Sequence, residues 1–362
     1  MPFDAADSKS LNAGLRRLPG ASYDPAKRFI TTFMNITDFF INPQTRLLRS
    51  GWRVLAFLFV LTLPQWLMTA MLKPPSHEPS PVFDVSLGMI LVYVILVGWV
   101  LLVSWGSLRL MDRLPLRSLG FSLHSNWRRE ILFGLALSLT MIVMIVGLQA
   151  VGGGTRTQPN PFWFNAGGID WAALGVVIKE MLMALVLLIL AGAFEELVYR
   201  GYAFQTLLRG ISPILPILFL SVFFALGHWN NPNRTIFSTT NTVLAGIWLS
   251  VAYLKTRSLW FPTALHVGWN YVMGALFGLP VSGLFIPQHP ILVSTCEAPL
   301  WLTGGSYGPV GGAAATIVVI LSIIVIGKAR WLTVSPEMQT AWAERTRQPE
   351  SALRLNLQNE DV

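Results

Sequence analysis

Apolar residues run along the chain in eight blocks: residues 52–72, 85–108, 131–151, 181–208, 213–229, 236–254, 259–279 and 310–327. Most approach the ~20 residues that a helix needs to cross a hydrocarbon core. Polar or proline-bearing segments separate them. The pattern predicts an all-α fold, a polytopic membrane helix bundle of about eight transmembrane helices, forming one domain over residues 52–327. The fourth block is long and polar in its second half, so its inner end is the least defined. Small residues from Gly311 to Ala315 open the eighth block and are expected to pack closely against a neighbouring helix.

Composition fits the same class: 53% of the residues are hydrophobic and only 12% charged, which suits a surface facing lipid. Residues 1–51 form a polar arm without a signal-peptide pattern. Its weak amphipathic spacing (Phe29, Phe33, Ile36, Phe40) predicts an interfacial helix. Residues 328–362 read as a solvated cytoplasmic tail, and segment 73–81, the Gly152–Gly154 run with its polar, proline-containing sequel, and segment 280–309 as external loops. A single cysteine, Cys296, excludes an intramolecular disulfide.

Charge then orients the bundle. Eight Lys and Arg lie up to Arg53, one in the next segment (Lys73), and five from Arg109 to Arg129. Arg156 follows, with Lys179 at a helix edge; then come Arg200 and Arg209, Arg234 alone, and Lys255 with Arg257. Segment 280–309 has none, and five lie from Lys328 onward. Basic residues accumulate on the cytoplasmic side. Both termini are therefore expected in the cytoplasm, with the protein in a plasma (inner) membrane. The net charge of +8 is on this reading a topology signal, and nucleic acid is not an expected partner.

Polar residues inside the blocks carry the candidate chemistry, because an ionisable group in hydrocarbon costs several kcal/mol unless paired, hydrated or protonated. Glu195 and Glu196 follow an apolar run, with Arg200 four residues after Glu196. On a helix this order favours a Glu196–Arg200 ion pair and turns Glu195 away from it. His228 closes the fifth block, and His266 and Asn270 share one helix face in the seventh. The remaining histidines, His77, His124 and His289, are expected to be solvated in loops. Gly210-Ile-Ser-Pro213 reads as a helix break rather than a nucleophile motif.

Glu195, free of the arginine, is placed to take a proton from water and return it to a leaving amine. His228 could share in activating that water, and His266 with Asn270 could stabilise an oxyanion on a carbonyl. Glu195, His228 and His266 would equally satisfy a three-ligand site for one divalent metal ion such as zinc. Sequence leaves both versions open.

Glu195-Glu-x-x-x-Arg200, Phe224-x-x-x-His228 and His266-x-x-x-Asn270, in this order in successive apolar blocks, resemble the three motifs of the CPBP family. That family includes the type II CaaX prenyl endopeptidases and the bacterial Abi or bacteriocin-immunity proteins. The resemblance covers the motif core, residues 181–279; Tyr199 stands where phenylalanine is usual. It implies a glutamate-dependent intramembrane endopeptidase, classed in the family as a metalloprotease, whose substrate is a membrane-borne peptide or protein that can be lipidated. Glu195 would be the acid/base with Glu196 beside it, His228 its partner, and His266 with Asn270 the oxyanion or ligand pair. A non-proteolytic scaffold or immunity factor using the same polar cavity is the alternative. A transporter is disfavoured, since the chain has no inverted repeat or matched broken helices.

Overall fold

The computed structural model describes residues 36–43, 45–71, 83–153, 155–297 and 299–346. The expectations for Phe29, Phe33, His77 and the tail beyond residue 346 fall outside the described residues.

Each apolar block forms helix: α1 (Ser50–Met71), α2 (Leu87–Ser107), α3 (Trp127–Val151), α4 (Trp171–Glu196), α5 (Tyr202–Leu207), α6 (Ile214–Gly227), α7 (Ile236–Thr256), α8 (Trp260–Tyr271) and α9 (Ala313–Lys328). Three of these helices run on into π-helical turns, Leu108–Asp112 after α2, Leu197–Gly201 after α4 and Val272–Leu276 after α8. The second of these joins α4 to α5 in one 37-residue segment, Trp171–Leu207. Among the described residues, four segments are long and apolar enough to cross a membrane: Leu87–Asp112, Trp127–Val151, Trp171–Leu207 and Ile236–Thr256. Ile214–Gly227 and Ala313–Lys328 are shorter apolar helices. Ile95, Leu132 and Leu182 project outward and exposed, as lipid-facing side chains do. The chain is a mostly helical membrane protein.

α8 is the inner helix of the bundle. Every residue from Phe261 to Trp269 is buried, and the helix packs against α3, α4 and α7. Small residues permit the approach, because van der Waals fit rather than hydrophobic burial drives helix association in lipid. A Cβ on Gly134 of α3 would stand 2.7 Å from Ala264 Cβ, and one on Gly192 of α4 would stand 2.8 Å from Val267 Cγ2. Gly192 lies one turn before Glu195, so this contact also fixes the carboxylate's height beside α8.

Several expectations are corrected. The fourth helix starts at Trp171, ten residues before the expected 181, because Asp170 caps it by accepting from the Ala172 and Ala173 amides at 3.0 Å each. Lys179 and Glu180 are thus inside the helix. The fold is not purely α-helical. β1 (Thr155–Pro159) pairs antiparallel with β2 (Leu292–Cys296), and Phe164–Asn165 pairs with Gly168–Ile169. The two segments read as separate external loops are therefore stitched together, by strands too short and polar for a hydropathy pattern to register.

Gly311 and Gly312 precede α9 instead of opening it. There they press on Leu302 and Gly304, and Asn241 Nδ2 donates to the carbonyls of Val310 and Gly312 at 2.8 and 3.1 Å. The tail is no free end as far as residue 346: α10 (Pro336–Thr346) docks on the bundle and buries Met338 and Arg345. His124 is buried, sharing Nε2 between Ser258 Oγ at 3.1 Å and Glu130 Oε2 at 3.5 Å. His289 bonds Glu180 at 3.0 Å and stacks on Phe162 at 4.0 Å. Neither histidine is simply solvated, since each meets a carboxylate from another element. Residues 208–213 do break the helix, as the Gly-Ile-Ser-Pro stretch suggests.

Candidate active site

Glu196 ends α4 and is fully buried. Arg200 binds its Oε1 at 2.9 Å through one terminal nitrogen and donates to the Gly246 carbonyl at 2.9 Å through the other. The guanidinium also lies over the Phe224 ring, 4.9 Å from its centre. A buried cation held by one carboxylate, one carbonyl and one ring face is compensated on several sides. Wider turns of this kind recur at functional sites, and here one begins at Leu197, directly after the two glutamates.

His266 of α8 completes the group. Its Nδ1 is 3.0 Å from Glu196 Oε1 and its Nε2 is 3.8 Å from Glu195 Oε2. A carboxylate can only accept, so Nδ1 carries the hydrogen toward Glu196 and the Nε2 face is turned to Glu195. Glu195 differs from its neighbour in access: its side chain is 25% exposed, against 0% for Glu196.

The exposed side of Glu195 opens into a cavity of about 610 Å³, which His228, His266 and Asn270 also line. Glu196 and Arg200 do not line it. His228 follows α6 as its C-terminal cap, with Nδ1 3.0 Å from the Phe224 carbonyl. Since a carbonyl only accepts, the Nε2 lone pair of neutral His228 remains available. The His228 and His266 rings both flank Phe224, with centroids at 4.8 and 5.9 Å from it. The five polar groups expected to converge therefore split into four around the cavity and one, Glu196, locked behind it.

Sequence reasoning passed over Phe224 as a contact partner, although it begins the second motif, and over the Gly246 carbonyl, which no spacing rule could point to. It also passed over Tyr93 and Tyr199. Both line the cavity with Glu195, and Tyr199 places its hydroxyl 2.6 Å from where a Gly227 Cβ would stand.

Among the described residues, no group of three His, Cys, Asp or Glu side chains is arranged to hold an ion. His266 turns Nδ1 to Glu196 and Nε2 to Glu195.

A family model described as type II CAAX prenyl endopeptidase Rce1-like matches residues 177–272, from α4 through α8. The match encloses Glu195, Glu196, Arg200, His228, His266 and Asn270 and supports membership of the CPBP family. No curated protein and no solved structure matches the chain.

Proposed function

We propose that this CPBP-type chain is a glutamate-dependent intramembrane endopeptidase, with Glu195 as its general base and acid. One observation carries the assignment: of two adjacent carboxylates, Glu195 alone reaches the cavity, while Glu196 is buried under Arg200 and His266. A family of CAAX-type proteases supplies the reaction class.

In the proposed reaction, water bound between Glu195 and the Nε2 lone pair of His228 attacks the scissile carbonyl carbon. Its proton passes to Glu195 as the new C–O bond forms. The Asn270 amide donates to the oxyanion. The tetrahedral centre then collapses, the C–N bond breaks, and Glu195 returns the proton to the departing amine nitrogen. The products are a carboxylic acid and an amine, which settle as carboxylate and ammonium once the acid proton passes to the amine.

His266 acts here as a positioning residue for the two glutamates, a change from the oxyanion role expected from its spacing with Asn270. The cavity is lined mainly by apolar side chains such as Leu58, Leu61, Phe223 and Trp248, which suits an extended peptide bearing apolar or lipidated side chains. The proposed setting is the plasma (inner) membrane, with about eight spans and cytoplasmic termini, α1, α6, α8 and α9 crossing beside the four longer segments.

The experiment is mass spectrometry of membrane peptides from cells carrying the wild-type chain or Glu195→Ala. Truncated peptides that appear only with the wild type are the expected result. Identical peptide sets at equal protein level would favour the scaffold reading instead.

A further inference from the structure

The cavity that Glu195 reaches has two unlike ends. On the proposed topology α1, α6 and α8 rise from the cytoplasm, and α2, α4 and α7 return to it. Toward the external side the wall is made by Tyr93 near the outer start of α2, by Asn231 after α6, and by Val281, Ser282 and Ile286 of the segment that follows α8. These outer connections meet one another. The Phe83 amide donates to the Phe285 carbonyl at 3.0 Å, and Asn231 Nδ2 donates to the Ser282 carbonyl at 2.9 Å. His228, Asn231 and Ser282 are part exposed on this wall, and Gln65 of α1 with Leu226 and Gly227 of α6 are exposed.

The cytoplasmic end is closed. Phe57 of α1, Tyr202 and Phe204 of α5, Tyr253 of α7, and Leu119 and Leu259 of the cytoplasmic connections belong to one hydrophobic cluster, each no more than 2% exposed. The Phe57 and Tyr202 rings stand 5.0 Å apart and those of Phe204 and Tyr253 5.6 Å, which ties α1, α5 and α7 together. None of these six side chains lines the cavity. Tyr202 lies beyond Glu195 toward the cytoplasm on the same continuous helical segment, and the buried Glu196–Arg200 pair stands between them in sequence.

A peptide and the water that hydrolyses it must both reach Glu195. From the cytoplasm either would have to part close-packed aromatic rings, forfeiting their contacts together. From the external side the route already carries polar groups, which hold water where a bare apolar wall would not.

We infer that the cavity is filled from the external side, through the exposed wall between the outer half of α1 and the end of α6. The substrate is then a stretch of polypeptide in or on the external leaflet, rather than a tail anchored on the cytoplasmic face. The inference rests on the endopeptidase reading above and adds the side from which its substrate is presented.

The test labels single cysteines with a charged, membrane-impermeant maleimide in right-side-out and inside-out membrane vesicles, using the full chain with Cys296→Ser. Ala191→Cys and Thr62→Cys report the cavity wall. Leu300→Cys, exposed in the segment after α8, and Leu123→Cys, exposed between α2 and α3, mark the two faces. Both cavity thiols should react in right-side-out vesicles together with Leu300→Cys, and stay unlabelled in inside-out vesicles, where Leu123→Cys reacts. Cavity thiols that follow Leu123→Cys overturn the inference, as do markers on reversed faces or cavity thiols that react only after denaturation. Labelling requires no turnover, so it is decided apart from proteolysis. Truncated peptides lost in Glu195→Ala should come from external segments of membrane proteins, and cytoplasmic segments alone would also overturn the inference. External labelling with no truncated peptides at all would instead strike the endopeptidase reading and leave the external opening standing.

Discussion

Glu195 and Glu196 are neighbours in sequence with opposite surroundings, and their substitutions should diverge accordingly. Glu195→Gln keeps the size of a side chain that is part exposed and removes its proton chemistry. Turnover should be lost with membrane abundance near wild type, as read by peptide production and quantitative blotting. Arg200→Ala strands Glu196 as a buried unpaired charge, a change costing about 3–5 kcal/mol. Its membrane level should fall as well as its activity; equal abundance would contradict the buried pair. The Glu196–Arg200 pair was legible in the sequence because both partners lie on one helix at a spacing of four. The contact of His266 with both glutamates was not, because it crosses from α8 to the end of α4, and no spacing rule encodes contacts between helices. The same limit explains why His289 read as a loop histidine although it meets Glu180 across the fold; His124 instead meets Glu130 in the first turn of the helix that follows it.

Helices were the most legible elements, since sustained apolar blocks specify them with little ambiguity. What the pattern could not register were local devices. Asp170 extends α4 past a polar Lys–Glu pair, and two short strands pair across two distant loops. α10 escaped because its sequence is polar overall, and only particular residues, Met338 and Arg345, turn inward. Two expectations belong at this scale. Gly134→Ala puts a methyl group 2.7 Å from Ala264 Cβ and 3.0 Å from the Leu265 backbone nitrogen. Overpacking of this kind typically costs about 1–3 kcal/mol, so thermal unfolding in detergent should shift downward; an unchanged Tm would mean that α3 and α8 are not in close contact.

The second expectation concerns the docking of α10. Its Glu337 accepts from Ser125 N and Oγ at 3.2 and 3.1 Å. The carboxyl is held below its ordinary range, first by its own backbone amide and then by Ser335 and Ser125. A depressed folded-state value contributes stability above the unfolded value and loses it as pH falls through the folded one. Protease access to the region around Trp342 should therefore rise at acid pH in the wild type. Glu337→Gln should remove that pH dependence, and a wild-type digestion rate flat with pH would contradict the contact.

At the scale of the whole molecule, the described residues form an apolar bundle around a cavity with a few polar groups in its wall, and the charged loops are expected to set its orientation. With cytoplasmic termini, reporter fusions after Gly283 and after Thr346 should score as external and cytoplasmic respectively, and the reverse pattern would invert the bundle. The helical class was readable early, and so were Glu195, His228, His266 and Asn270 as candidates for one cavity, because intramembrane polar residues are few and costly enough to have a purpose. The division between an open and a locked glutamate needed the fold. Its central claim is hydrolysis by Glu195-activated water. The most direct measurement incubates the purified chain with solubilised membrane peptides in ¹⁸O-labelled water, followed by mass spectrometry of the products. The account predicts new C-terminal carboxylates carrying one ¹⁸O atom with the wild type and none with Glu195→Gln; labelled products at equal rates from both proteins would contradict it.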